Sequence, residues 1–352
     1  AIYNGHDEIT KLLLKEDATW VNIRTFMGDT LLAFACDNDN LELTKLLLQN
    51  KRTKVDAQNQ SGSTALILAS NAGHARIVQE LLENNAKVNI QSKTGTTALI
   101  DASENDHTEA VKLLLSNSTI EVNLSNEGGT TALMTASHHG HVQVVDLLLS
   151  HKHIDVNAKC KSGFTALIHA CHKGHAQVVM ALMKMQEIDV NAVSIENVSA
   201  LSAAVWYGHT EVVTLLLENE TIDVNNFYPD SVGPPLVGAA RNGHYDIVKV
   251  LLLHQSIEIN KCHDDGFTAL MAACEEGHLS TVQLLLNQDQ INVNIATKSG
   301  YTALMIAVWK NQKEVVKLLL RRSELCVNCQ SGDKRSALDL ATIVGSKDIV
   351  EM

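Results

Sequence analysis

The chain has 352 residues, of which 45% are hydrophobic and only 4% aromatic, and its formal net charge is -12 at pH 7. Aromatic side chains normally fill large cores, so this composition predicts a thin core rather than one large globular one. The negative charge disfavours nucleic acid and direct contact with an anionic membrane, because both would repel the average surface, and favours a partner with a basic surface.

The seven cysteines form an odd set without the spacing of a disulfide framework. Their thiols are therefore expected to be reduced, which places the chain in the cytoplasm or the nucleus. The sequence opens with no signal-peptide pattern, and its apolar runs are too short to span a membrane.

A Thr-Ala-Leu signature or a close variant recurs along the whole chain at intervals of 33 to 35 residues. It opens at Thr30, Thr64, Thr97, Thr131, Thr165, Ser199, Pro234, Thr268, Thr302 and Ser336. In six blocks a Gly-His pair follows nine residues later, then a Val-Val-x-Leu-Leu-Leu segment, and then a Val-Asn pair. Four signals in register at a constant period indicate an array of structural repeats.

Each block predicts the same elements in the same order. The threonine caps a short first helix, and the glycine ends that helix in the left-handed conformation. Apolar residues at helical spacing, such as Val178, Val179, Leu182 and Met183, predict a second helix. The turn-rich segment between the Val-Asn pair and the next threonine predicts a β-hairpin finger.

This pattern resembles the ankyrin repeat family, whose repeat runs G-x-T-P-L-H, A-A, G-H, I-V-x-L-L-L and D-V-N. The resemblance covers essentially all 352 residues. It implies an all-α dominated solenoid of stacked helix-turn-helix units with β-hairpin fingers, curved into an elongated rod. The T-P-L-H motif appears here as T-A-L-I or T-A-L-M, so the family's Thr-to-His contact is absent and apolar packing is expected in its place.

The array predicts a single domain over residues 1–352. A partial repeat covers 1–24, full repeats start near residues 28, 62, 95, 129, 163, 197, 232, 266 and 300, and a truncated repeat covers 334–352. Neither end has the polar face that a terminal repeat requires, so the chain is expected to be a fragment of a longer protein.

Residues that carry function are expected where the repeat pattern leaves the residue type free. In families of this kind these are the pair before Gly-His on the concave side, the residue between Gly and Thr, and the finger tip. Aromatic side chains concentrate in these positions from the fifth repeat to the ninth. The candidates are His138, His139, Phe164, His172, Lys173, Trp206, Tyr207, Phe227, Tyr228, Arg241, Phe267, Glu275, Glu276, Tyr301, Trp309 and Lys310.

Rigid aromatic anchors of this kind predict a scaffold that binds a partner protein or peptide, and a monomer. Two local alternatives stay open. Phe164, Phe267 and Tyr301 could instead pack on the adjacent finger, and the finger with Phe227 and Tyr228 could be a tolerated insertion. Alternatives for the whole chain are a mechanical spacer or spring in a large membrane-attached or cytoskeletal protein, and the regulatory arm of a larger enzyme.

Catalytic, cofactor and metal sites are not expected. The sequence shows no phosphate loop, and a grooved rod offers no deep pocket for a nucleophile and its base. Cys326 and Cys329 lack the second ligand pair of a zinc site. A metal ion held by His138, His139 and His172 is the alternative. The Val-Asn asparagines resemble positions that an asparaginyl hydroxylase modifies in some ankyrin repeats, but a side chain that bonds the turn backbone explains them better.

Overall fold

The computed structural model describes residues 18–226 and 233–352. These residues form a 3-10 helix, Ala18–Asn22, and 20 α-helices that alternate as first and second members of a pair. Residues 1–17 and the finger residues 227–232, which include Phe227 and Tyr228, lie outside the described residues. The partial repeat predicted over 1–24 is therefore described only from residue 18.

The helix pairs follow the predicted register, and we number them 1 to 10 in chain order. The first helices are Leu31–Asp37, Ala65–Asn71, Ala98–Glu104, Ala132–His139, Ala166–Lys173, Ala200–Trp206, Pro235–Arg241, Ala269–Glu276, Ala303–Trp309 and Ala337–Val344. The second helices are Leu41–Leu48, Ala75–Glu83, Thr108–Leu115, Val142–Leu149, Ala176–Met183, Thr210–Leu217, Tyr245–Leu252, Leu279–Leu286, Lys313–Leu319 and Lys347–Val350.

The chain divides into two compact units. The N-terminal unit comprises residues 1–170 and 177–188, and the C-terminal unit comprises 171–176 and 189–352. Within each unit, first helices pack on the first helices of the next pair, and second helices pack on second helices. This nearest-neighbour packing is that of a repeat solenoid, and it confirms the predicted fold class.

The predicted helix caps are present. The Thr64 hydroxyl accepts a hydrogen bond from the backbone N–H of Ile67 at 3.3 Å, and the same bond recurs at most of the other repeat threonines. Ile67 itself is 3% exposed, and Met134 in the same register is 1% exposed. Apolar packing therefore takes the place of the family's Thr-to-His contact, as expected.

One or two residues after each first helix the backbone takes a left-handed conformation, as the glycines predict. Where the repeat lacks glycine, Asp39, Asp106 and Asn311 hold φ values of 54°, 59° and 56°. Aspartate and asparagine tolerate this region better than other side chains, which explains why the register survives without glycine.

The prediction of β-hairpin fingers is confirmed only at their base. Instead of paired strands, the described fingers contain single antiparallel bridges, at Arg24–Thr30, Ser125–Thr131, Val193–Ser199, Cys262–Thr268 and Ala296–Thr302. Tight turns leave too few residues on either side for a longer ladder.

The asparagines of the Val-Asn positions link consecutive pairs. Asn191 donates from Nδ2 to the Thr221 carbonyl at 2.8 Å and accepts from the Asp223 N–H at 2.9 Å. Asn123, Asn225 and Asn260 make the same two bonds to the following pair. These side chains bond backbone groups, as expected, and the backbone that they bond belongs to the segment that comes after the following pair.

The expectation that every cysteine is a reduced thiol is wrong for two of them. Cys326 and Cys329 form a disulfide with their Cα atoms 5.6 Å apart. A Cys-x-x-Cys turn brings two Cα atoms within bonding range without help from the rest of the fold, which a search for framework spacing overlooks. Burial raises the pKa of the free Cys36 thiol to about 12, so this thiol stays protonated and unreactive at neutral pH.

Candidate functional site

The candidate residues of the C-terminal unit lie where successive first helices end. Trp206, Arg241, Glu275 and Trp309 occupy the same register position in pairs 6 to 9, seven residues after the capping position. Neighbouring helix axes lie roughly 8 to 10 Å apart, so these side chains form a row of about 30 Å. We call this row, together with Tyr207, the aromatic row.

The aromatic side chains of this row are exposed while the backbone that carries them is fixed. Trp206 is 39% exposed, Tyr207 52% and Trp309 48%. The Trp206 carbonyl accepts hydrogen bonds from Asn242 Nδ2 at 3.1 Å and from His244 Nε2 at 3.3 Å. Because both donors belong to the next pair, stacking of the pairs holds the end of this helix in place.

Tyr207 lies against two histidines. Its ring meets the His172 ring edge-on, with centroids 4.4 Å apart, and stacks on the His209 ring at 6.3 Å. Burial lowers the pKa of His172, and the neighbouring charges of Lys173 and His209 lower it further. His172 is therefore neutral at pH 7 and serves as an aromatic neighbour of Tyr207.

Charged side chains of the row have identifiable partners. The Arg241 guanidinium lies over the Phe267 ring, 5.2 Å from its centroid. Lys310 Nζ lies 3.0 Å from a Glu275 carboxylate oxygen. Both contacts join consecutive pairs, so they orient the row and stiffen it.

The three residues between Gly and Thr are half-buried. Phe267 lies beneath Arg241, and Phe164 lies 5.3 Å from the His169 ring of its own pair. Tyr301 exchanges backbone and side-chain hydrogen bonds with Thr297 in its finger. The alternative interpretation of these residues, packing on the adjacent finger, stays a prediction.

His138, His139 and Phe164 belong to the N-terminal unit and build a separate cluster. His138 Nδ1 lies 3.4 Å from His169 Nδ1, and the His139 ring is 5.0 Å from the His138 ring. His139 Nδ1 lies 3.0 Å from the Thr135 carbonyl oxygen. The repeat pattern does not explain His169, because its contact partner His138 lies 31 positions earlier in the chain.

The histidines do not build a metal centre. Within residues 18–226 and 233–352, no group of three or more His, Cys, Asp or Glu side chains could hold a metal ion. The same part of the chain contains no helix that is both long and apolar enough to cross a membrane.

A family model described as "Ankyrin repeats (3 copies)" matches residues 1–92, 71–160, 152–227 and 236–331. The chain belongs to the ankyrin repeat family. No curated protein matches the chain. Ankyrin repeats generally mediate protein–protein interactions, and proteins built from them are typically non-enzymatic.

One titratable group of the ankyrin repeat stack is not among the sequence candidates. Asp101 lies on the first helix of pair 3, four residues after its cap, where other pairs carry Leu68 or Ile306. Burial raises the pKa of its carboxyl to about 7, and the charge of Glu104 contributes to the shift. Only an alignment of the repeats could have revealed this carboxylate, which lies at a position that is apolar in most other pairs.

We expect Asp101→Asn to stabilise the chain at alkaline pH. A pKa raised above its unfolded value of 3.8 means that the ionised carboxylate disfavours folding, a penalty that is absent below pH 4 and complete above pH 7. The partly exposed site reduces the effect to about 1 to 2 kcal/mol. Urea unfolding at pH 5 and pH 8 should show a clearly larger gain at pH 8, because pH 5 lies near the lower end of the range in which the penalty builds up. The exposed Asp146→Asn is the control, and an equal gain at both pH values would contradict the assignment.

Proposed function

We propose that this ankyrin repeat chain is a scaffold that binds a partner protein or peptide through the aromatic row, on the side that the family pattern makes concave. The observation that carries the proposal is the exposure of Trp206, Tyr207 and Trp309, the first two at a helix end that is fixed by bonds from the next pair. Rigid aromatic side chains lose little conformational entropy on binding, and Trp and Tyr dominate the energetics of protein interfaces.

The surrounding side chains extend the same surface. Lys173, Glu276 and Lys310 are exposed beside the row and would contribute polar contacts at its rim. A spacer that only transmits force needs the bonds between pairs, but it does not need tryptophans facing solvent. The exposed aromatics therefore favour binding over the mechanical alternative.

Site-specific photocrosslinking tests which face binds. We expect a chain with p-benzoylphenylalanine in place of Tyr207 to form a light-dependent covalent adduct with its partner protein. The matched control carries the same group in place of Tyr245, which is 40% exposed on the second helix of pair 7. Mass spectrometry of the adducts measures the yield, and an equal or higher yield from position 245 would contradict the proposed surface.

A further inference from the structure

The charged residues next to Trp206 and Tyr207 are positive, whereas the chain as a whole carries a negative net charge. The net charge of -12 favours a basic partner at long range. At physiological ionic strength, however, exposed charges act over a Debye length of about 8 Å. A side chain docked on Trp206 therefore responds mainly to the residues next to the row.

Arg241 is the cation nearest to Trp206 in register. Its guanidinium contacts the Phe267 ring and makes no ion pair with a carboxylate of the described residues. A guanidinium that lies over a ring keeps its fork of N–H donors available, and this fork matches a carboxylate in a bidentate geometry. Arg241 is exposed, so a partner can reach it.

The other charged residues at these helix ends do not cancel the positive charge of Arg241. Glu275 is neutralised by Lys310 at 3.0 Å, and His172 is neutral because its pKa is lowered. Lys173 adds a second exposed cation beside Tyr207. Among the described helix-end residues of pairs 5 to 9, Glu276 is the remaining anion, and it lies on the pair that follows Arg241, towards Trp309. Asp264 and Asp265 lie in the finger before pair 8, where Asp265 accepts a hydrogen bond from the Phe267 N–H.

We propose that the partner segment is acidic: an Asp or Glu side chain binds Arg241 while an apolar side chain packs on Trp206 and Tyr207. This inference rests on the proposed function of the aromatic row. Adjacent register positions are roughly 8 to 10 Å apart, and an extended peptide advances about 3.3 Å per residue. The acidic residue therefore lies two or three positions from the apolar one.

A random peptide library displayed on phage and selected on the full chain tests this chemistry. Peptides selected on the parent should be enriched in Asp or Glu two or three residues from Trp, Phe or Leu. Selection on Arg241→Glu should replace the acidic residue with Lys or Arg. Arg321→Glu, an exposed arginine after the second helix of pair 9, should select the same peptides as the parent.

The affinities of the parent and variant chains for one selected peptide test the contact with Arg241 directly. Arg241→Gln should weaken its binding roughly tenfold, and exchanging the peptide's acidic residue for its amide should have the same effect. Combining the two changes should cause little further loss, because both remove one interaction. Melting curves of every variant control for folding.

The possible failures are distinguishable. Peptides that require Trp206 and Tyr207 but show no acidic preference, or a basic one, would overturn the inference and leave the proposed function standing. Peptides that bind equally well after Trp206→Ala with Tyr207→Ala would overturn both, as would a selection without enrichment over that variant.

Discussion

Gly243→Ala should lower the free energy of unfolding by about 2 to 4 kcal/mol, whereas Gly345→Ala should cost only about 1 kcal/mol. Both glycines follow a first helix and hold nearly the same left-handed φ, 70° and 74°. A β-carbon at Gly243 would lie 2.6 Å from Cε1 of His278, while nothing lies within 4 Å of one at Gly345. The difference between the two variants therefore measures the contact between consecutive pairs, separately from backbone strain.

The His278 ring cannot move aside without loss. Its Nε2 lies 2.9 Å from the Arg241 carbonyl oxygen, so a displaced ring gives up a hydrogen bond that joins pairs 7 and 8. Urea unfolding followed by circular dichroism measures the two losses. In a His278→Ala background, Gly243→Ala should cost no more than Gly345→Ala, because the clash is gone. Equal losses for the two glycine variants in the parent would show that the ring yields freely.

The fold was largely predictable because every repeat carries the same local signals in the same order. Threonine caps and left-handed glycines each act within a few residues, so the positions of Thr64 and Gly243 predict helix boundaries directly. The bonds that stack the pairs are different in kind. Asn191 bonds residues 30 and 32 positions ahead, and its own neighbours give no sign of those partners.

Aligning the repeats identified the helix ends at which Trp206, Tyr207 and Trp309 are exposed, but it could not predict the contacts of the candidate side chains. The register alone indicates that Trp206 and Trp309 lie at equivalent helix ends. The contacts of Arg241 with Phe267, and of His138 with His169, depend on side-chain conformations across two pairs. The disulfide of Cys326 and Cys329 was missed for the opposite reason, since it depends on one tight turn.

Trp206→Ala combined with Tyr207→Ala should weaken partner binding at least about 100-fold, because each anchor of this type contributes about 2 kcal/mol or more. The expected cost in stability is much smaller. The bonds that fix this helix end use the Trp206 carbonyl, which alanine keeps, and both side chains are substantially exposed. Tyr207 loses its ring contacts with His172 and His209, worth about 1 kcal/mol.

Titration calorimetry with the partner captured by the parent chain measures this loss of affinity. Tyr245→Ala removes an aromatic side chain of similar exposure, 40%, from a second helix and should leave the Kd unchanged. Lys249→Glu reverses a charge on that same second helix and should change the Kd less than about threefold, because a charge distant from the contact acts only through the screened field. If the double variant binds as the parent does, the aromatic row is not the contact surface, and its exposed tryptophans need another explanation. If binding falls in all three variants alike, the partner spans both helices of the pairs, and the row is one part of a larger interface.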